Sequence, residues 1–233
     1  MVIPVHDENY YYDESGWPWV MWCLFAANVL ALVYLWLLPA EGVQALAFNF
    51  GVVAGFITKA IPLDDFELLM PPVLTVFTYT FLHGNWLHLA GNMIFLWVFG
   101  DNIEAAMGHL RFLLFYLLCG AAGGLAHISA DPASIVPLIG ASGAVAGIVA
   151  AYLMLHPWAH VTVLVFGLMT MRIHAYWLLG AWIAWQVANV LLMPASEVSY
   201  WSHLGGLIAG ALLVLVLRRP GVPLFQRHFA HWP

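Results

Sequence analysis

The stretch LIGASGAVAGIVAAY, residues 138–152, places one serine among glycines and alanines at the start of an apolar run. Gly143 and Gly147 lie four residues apart, and so do Ser142 and Ala146. Residues at this spacing share one face of a helix, and a face of small residues lets a neighbouring membrane helix approach closely. The stretch therefore predicts a helix that packs tightly against another helix and begins near a serine.

The composition of the 233-residue chain indicates a membrane protein. Hydrophobic residues make up 64% of the chain and charged residues 8%, whereas soluble domains are about half apolar and about a quarter charged. The apolar residues come in long blocks, so we expect a multi-pass protein in contact with the lipid bilayer. Six lysines and arginines are too few for a basic face, so we expect no nucleic acid partner.

Six stretches have the apolar character of membrane-spanning helices, which need about 20 residues each. They are residues 20–38, 86–103, 112–130, 142–157, 174–193 and 201–218. We therefore predict an all-α membrane protein, a bundle of six transmembrane helices with a long loop, 39–83, between helices 1 and 2. The stretch 160–172 is apolar but too short to span. We expect it to be an interfacial segment or an extension of a neighbouring helix.

The basic residues predict the orientation of the chain in the membrane. Five of the six lie after the second, fourth or sixth predicted span: Arg111, Arg172, Arg218, Arg219 and Arg227. With six spans these connections share one side, which the positive-inside rule assigns to the cytoplasm together with both termini. We expect a cytoplasmic tail over 1–19, a membrane domain over 20–218 and a cytoplasmic tail over 219–233. The compact six-span build favours a bacterial plasma (inner) membrane.

Polar side chains in two other predicted spans suggest chemistry, because polar groups are costly inside a membrane and are usually functional. His88 and Asn92 are four residues apart and share a face of the second span. His203 in the sixth span is followed by a Gly-x-x-x-Gly pair that begins at Gly206. Two helices with faces of small residues can bring Ser142 and His203 within the roughly 2.6–3.2 Å that a nucleophile and its base require.

Together these four residues fit a site for acyl transfer. Ser142 is the candidate nucleophile, and His203 is the candidate general base. His88 and Asn92 are candidate donors to the developing oxyanion, together with the free amides at the start of the helix that carries the serine. We expect no metal and no organic cofactor for this chemistry.

The same residues resemble the motifs of the rhomboid intramembrane serine proteases. The matching patterns are H-x-x-x-N at 88–92 with His83 before it, G-x-S-G at 140–143, and H-x-x-G-x-x-x-G at 203–210. Their order and their places in the second, fourth and sixth predicted spans also agree with that family. The resemblance covers roughly residues 70 to 218.

The resemblance implies a rhomboid-like bundle of six helices that cleaves transmembrane substrate proteins with a Ser142–His203 dyad, without an acidic third member. It implies that His88, Asn92 and the Ser142 amide hold the oxyanion. It also implies that His83 orders the entrance of the site or the first loop. A further similarity, GDNIEAAMGHLRF at 100–112, predicts that hydrogen bonds to Glu104 hold that end of the second helix.

Two positions depart from the family pattern. Many members have a Trp-Arg pair in the first loop, where this chain has Leu74 and Thr75. Many have an aromatic residue one turn after the serine, against which the histidine packs, where this chain has Ala146. His203 must therefore pack against another side chain, either Trp201 or a residue from a different helix.

Other intramembrane chemistries lack their residues here. The H-E-x-x-H motif of zinc proteases is absent, and the acidic pair Asp101 and Glu104 lies at one helix end, unlike the apposed carboxylates of an aspartyl protease. A proton-coupled transporter would need acidic residues within its spans. Two alternatives stay open: a catalytically silent rhomboid-like protein that binds membrane helices, and a structural scaffold, which would not explain the Ser, His and Asn set. The sequence does not indicate the oligomeric state of the protein.

Overall fold

The computed structural model describes residues 2–8, 16–63, 66–192 and 198–226. In chain order its elements are β1 (Val2–Asp7), α1 (Trp19–Trp36), α2 (Ala40–Phe50), α3 (Ala54–Ile57), α4 (Thr75–Thr78), α5 (Trp86–Met107), α6 (His109–Ala130), α7 (Ser142–Leu155), β2 (His160–Val165), β3 (Met169–His174), α8 (Ala175–Leu192) and α9 (Tyr200–Leu217). Short 3-10 turns at Pro72–Leu74 and Tyr79–Phe81 flank α4.

Each of the six predicted spans contains a helix, although the predicted end at residue 193 lies outside the described residues. Among the described residues, four helices are long and apolar enough to cross a membrane, namely α1, α6, α8 and α9. Helix α5 has 22 residues and carries Asp101 and Glu104, whereas α7 has only 14 residues. The structure therefore supports four spans, and the count of six stays a prediction for α5 and α7.

Helix α7 lies at the centre of the bundle, where it contacts α5, α6 and α9. Its small side chains allow this close packing on several sides. A Cβ atom at Gly206 of α9 would overlap the carbonyl of Gly143, and one at Gly210 would overlap Gly147. The glycine faces that the sequence predicts on these two helices are therefore in direct backbone contact.

The prediction of an all-α fold was wrong in one region, because β1, β2 and β3 form a three-stranded antiparallel sheet. Residues 160–172, expected to be interfacial or helical, form most of the β2–β3 hairpin. Val161 and Val163 are buried with Thr162 between them, and this alternation of β-branched residues favours a strand. Gly167 in the hairpin loop has φ +73°, a conformation that glycine adopts without strain.

Asp7 attaches the N-terminal strand to the end of the bundle opposite Ser142. The hydroxyl of Tyr152, in the last turn of α7, donates to Asp7 Oδ2 at 2.5 Å. Asn102 of α5 donates to the same oxygen at 3.0 Å. Part of the predicted tail 1–19 is therefore a strand that is hydrogen-bonded to the helices.

Glu104 holds the start of α1 against the end of α5. Its two oxygens accept hydrogen bonds from the amides of Val20 and Met21, at 3.0 and 2.7 Å. His109 Nδ1 lies 2.5 Å from Glu104 Oε1. A carboxylate suits the first turn of a helix because the amides there lack helical acceptors. The prediction that hydrogen bonds to Glu104 hold this end is confirmed.

The connection between α1 and α5 contains α2, α3 and α4, and it supports the segment that leads into α7. The amide of Val52 donates to the Leu138 carbonyl at 3.0 Å, and the amide of Leu138 donates back at 2.8 Å. The amide of Gly140 donates to the Tyr79 carbonyl at 3.0 Å. These bonds fix the backbone just before Ser142.

Candidate active site

Ser142 and His203 lie near the starts of two helices that are in backbone contact. Ser142 is the first residue of α7, and His203 is in the first turn of α9. The contact between Gly143 and Gly206 lies next to the serine and about one turn after the histidine. Tight packing at these glycines therefore sets the separation of the two candidate residues.

The hydroxyl of Ser142 has no hydrogen-bond partner within the part of the chain that the structure describes. The residue is half-buried, and none of the hydrogen bonds among the described residues involves its Oγ atom. His203 instead makes its side-chain hydrogen bond to α8, through Nδ1. Hydrogen bonds between catalytic groups are often long in a free enzyme and shorten when substrate binds. Helices α7 and α9 are thus in contact, although the side chains of Ser142 and His203 are not hydrogen-bonded to each other.

Three side chains surround the imidazole of His203, which is only 8% exposed. Its Nδ1 lies 2.7 Å from Oε1 of Gln186. The ring of Trp182, one turn earlier on α8, is stacked on it with centroids 6.1 Å apart and planes inclined by 27°. Tyr200 meets it edge-on at 5.9 Å. The ring is therefore held on several sides, by α8 and by its own helix.

The side chain that replaces the missing aromatic residue at Ala146 comes from α8. Of the two alternatives expected from the sequence, Trp201 is 45% exposed, whereas Trp182 stacks on the histidine. Neither Trp182 nor Gln186 was identified from the sequence. The available signal was an amide side chain inside the fifth predicted span, where polar groups are costly, but its partner depends on the rotation of α8 about its axis.

His83 holds Asn92 in place. His83 Nε2 lies 2.9 Å from Asn92 Nδ2 and 3.4 Å from the amide nitrogen of Ala141. A backbone amide can only donate, so His83 Nε2 is an acceptor, and the Asn92 amide donates to it as well. Burial, followed by the nearby charge of His88, lowers the pKa of His83 to about 3. His83 is therefore neutral near pH 7, as this arrangement requires.

His88 and Asn92 both lie close to the backbone just before Ser142. A Cβ atom at Gly140 would lie 2.7 Å from His88 Nε2 and 3.9 Å from Asn92 Nδ2. Gly140 also has φ +129°, so this position requires glycine both for space and for conformation. The two candidate oxyanion donors thus lie close to the backbone two residues before the candidate nucleophile.

The start of α7 supplies further donors. The first hydrogen bond in this region runs from the Val145 amide to the Ala141 carbonyl at 2.9 Å. The amides of residues 142–144 therefore precede the first helical bond, and the N-cap residue Ala141 has no side chain that caps them. Such amides stabilise a developing negative charge. Within the described residues, no three His, Cys, Asp or Glu side chains are arranged to hold a metal ion.

Comparison with known proteins identifies the family to which the chain is similar. A family model for the rhomboid domain matches residues 71–220. Rhomboid protein 1, mitochondrial, from Saccharomyces cerevisiae is 30% identical over 149 residues, which cover 60% of this chain and 40% of the yeast protein. RHOMBOID-like protein 5 from Arabidopsis thaliana is 27% identical, over 86% of this chain and 69% of the plant protein.

A bacterial relative is also similar. Putative rhomboid protease YdcA from Bacillus subtilis is 29% identical over 58% of this chain and 57% of its own length. The chain thus spans well under two thirds of the yeast and Bacillus relatives. Because the family model covers 150 residues, more than half of the chain, this integral membrane protein belongs to the rhomboid family.

Proposed function

We propose that this protein is an intramembrane serine endopeptidase, a hydrolase that cleaves transmembrane proteins with a Ser142–His203 dyad. The observation that carries the proposal is the backbone contact between α7 and α9 at Gly143 and Gly206, beside the serine and the histidine. Small residues alone would suit a structural scaffold. A scaffold does not require a buried imidazole or two side-chain donors next to a helix start.

The first step of the proposed reaction is nucleophilic attack. His203 Nε2 takes the proton of the Ser142 hydroxyl as Oγ forms a bond to the carbonyl carbon of the scissile peptide. The electron pair of the carbonyl moves onto its oxygen. His88, Asn92 and the amides at the start of α7 donate hydrogen bonds to this oxyanion and stabilise it.

The second half of the reaction releases both products. The oxyanion collapses, the peptide C–N bond breaks, and His203 gives its proton to the leaving amine. His203 then deprotonates a water molecule, which attacks the acyl carbon. The ester bond to Ser142 Oγ breaks, and His203 returns the proton to Oγ. Substrate helices would enter from the bilayer near α8 and the first loop. We expect small or helix-breaking residues at the cleavage site, because an intact helix keeps its carbonyls hydrogen-bonded.

We also propose the membrane arrangement that the sequence predicts, with six spans and both termini in the cytoplasm. The four described arginines all lie at the end of the bundle opposite Ser142: Arg111, Arg172, Arg218 and Arg219. Arg227 lies outside the described residues. The positive-inside rule assigns this end to the cytoplasm. The membrane domain would then be 20–218, between the tails 1–19 and 219–233.

The membrane in which the protein resides is a separate question. The relatives come from yeast, a plant and a bacterium, so the similarity does not identify the membrane in which this protein resides. Its location in a bacterial plasma membrane stays a prediction.

The alternative is a catalytically silent rhomboid-like protein that binds membrane helices. The specific observation in its favour is that Ser142 Oγ makes no hydrogen bond to His203 among the described residues. Both functions need the same packed helices, but only the protease needs the hydroxyl and the unprotonated imidazole. Substitution of these two groups therefore separates the two functions.

The test is cleavage of a model transmembrane substrate by the purified protein in proteoliposomes. We expect wild type to cleave, Ser142→Ala to be inactive with the thermal stability of wild type, and His203→Ala to be inactive although still folded. Ser129→Ala is the matched control, because Ser129 is an exposed serine in α6 whose hydroxyl bonds to its own helix. Cleavage by Ser142→Ala at the wild-type rate would refute the proposal.

A further inference from the structure

We propose that Gln186 is a positioning residue for His203, and that its side-chain carbonyl sets the tautomer that the reaction needs. This inference rests on the proposed function, in which His203 Nε2 takes the proton from Ser142. A neutral imidazole carries its proton on either Nδ1 or Nε2, and only the Nδ1–H form leaves Nε2 free to act as a base. The side chain that contacts Nδ1 therefore determines whether Nε2 is unprotonated and able to accept the proton of Ser142.

The orientation of the Gln186 amide follows from its second contact. Gln186 Nε2 donates to the backbone carbonyl of Trp182 at 3.2 Å. A carbonyl can only accept, so the NH2 group must face Trp182, and Oε1 must face His203. Oε1 lies 2.7 Å from His203 Nδ1. Because Oε1 is also only an acceptor, the proton of the imidazole lies on Nδ1.

The surroundings of Gln186 make this arrangement persistent. Gln186 is only 3% exposed, although α8 also carries exposed side chains, including Trp177 and Trp185, which are 66% and 59% exposed. A buried amide in an apolar helix is costly unless it is hydrogen-bonded. Turning the amide around would let its NH2 group donate to an unprotonated Nδ1, but it would place the amide oxygen against the Trp182 carbonyl and lose the bond to Trp182. The burial thus disfavours the tautomer with a proton on Nε2.

One turn of α8 therefore supplies two functions to His203. Trp182 packs on the face of the ring, and Gln186 accepts the proton of its far nitrogen. Trp182 is in turn packed on Phe95 of α5, with ring centroids 5.8 Å apart. In this protein a neutral amide takes the orienting place that a carboxylate has in a Ser-His-Asp triad.

The first test measures the tautomer directly and does not depend on activity. The protein is labelled with ¹⁵N-histidine, and the nitrogen signals of His203 are identified as those that disappear in His203→Ala. We expect a protonated Nδ1 and an unprotonated Nε2 in wild type, and a mixture of both tautomers in Gln186→Leu. The same signals in wild type and Gln186→Leu would overturn the proposal, whether or not the protein cleaves substrates.

The second test separates positioning from substrate binding by kinetics. Loss of one net hydrogen bond is worth about tenfold, so we expect kcat of Gln186→Leu to fall about tenfold with KM unchanged. Gln186→Glu keeps an acceptor at the same place and should restore most of kcat. Gln186→Met, unbranched and similar in length, should match Gln186→Leu and excludes a defect caused by the shape of leucine.

The matched control is Asn189→Leu. Asn189 is also buried in α8, but its amide bonds to the backbone carbonyl of Trp185, so its loss should leave kcat unchanged. Equal losses of kcat in Asn189→Leu and Gln186→Leu would show that Gln186 acts only through helix packing. Inactivity of wild type would instead refute the proposed function, and the tautomer measurement would still decide the role of Gln186.

Discussion

The contact between α7 and α9 leaves no space for a single methyl group, and Gly206→Ala tests its importance. A Cβ atom at position 206 would overlap the Gly143 carbonyl oxygen and lie 2.7 Å from the carbonyl carbon. Carbon atoms in favourable contact are about 3.5–4.0 Å apart. The two helices must therefore separate by roughly 1 Å to accept the methyl group.

The expected effect on activity follows from that separation. A serine and its base work within about 2.6–3.2 Å, and a displacement of about 1 Å at a reacting group can cost about 10²-fold in rate. We expect kcat/KM of Gly206→Ala to fall by about this factor. Overpacking of a tight contact also costs about 1–3 kcal/mol of stability, so the thermal midpoint in detergent should fall as well.

The control for this experiment is Gly91→Ala. Gly91 lies in α5, next to Asn92, and a Cβ atom there would meet nothing within 4 Å. Alanine is a better helix residue than glycine by about 0.8–1.0 kcal/mol, so any loss in Gly206→Ala must come from the helix contact. We would abandon the packing argument if both variants had the same kcat/KM and thermal midpoint in parallel assays.

Two further predictions concern the oxyanion donors and the N-terminal strand. Asn92→Ala should lower kcat by about 10²–10³-fold through loss of one oxyanion donor, and a wild-type kcat measured on a folded sample would contradict the assignment. Burial raises the pKa of Asp7 to about 8, above its usual 3.8, so between about pH 4 and 8 the folded protein binds a proton that the unfolded chain releases. Stability should therefore fall as pH rises through this range, and Asp7→Asn should flatten the dependence of the thermal midpoint on pH. Parallel curves for wild type and Asp7→Asn would show that this carboxyl group does not titrate as proposed.

The parts of the candidate site that depend on spacing within one helix could be predicted from the sequence. The four-residue interval between Gly143 and Gly147, repeated at Gly206 and Gly210, indicated two faces of small residues, and the structure places these faces in contact. The reason is that helical periodicity converts sequence spacing directly into a shared face.

The parts that depend on the rotation of one helix relative to another could not be predicted. Nothing in the spacing of α8 shows that Gln186 and Trp182 face His203 while Trp185 faces outward. The rotation of α8 about its axis depends on its packing against helices that are distant in the chain. The resemblance implied that His83 orders the entrance of the site or the first loop, but its contacts could not be predicted for the same reason, since Asn92 lies on α5 and Ala141 belongs to the segment before α7.

The sheet was missed for a different reason. Residues 160–165 alternate with period 2, but the length and hydropathy of 160–172 also suit an interfacial segment or an extension of a neighbouring helix. The partner strand β1 lies about 160 residues away in the chain, as the pairing of Val2 with Val165 shows. Local patterns identify a strand far more readily than they identify its partner.

The central claim is that Ser142 is a nucleophile activated by His203, and covalent labelling tests it most directly. The purified 233-residue chain is treated with a fluorophosphonate or isocoumarin probe, and the labelled peptide is identified by mass spectrometry. We predict one label on Ser142, with no label in Ser142→Ala and strongly slowed labelling in His203→Ala. A wild-type protein that is folded but stays unlabelled, or that is labelled equally in Ser142→Ala, would contradict the account.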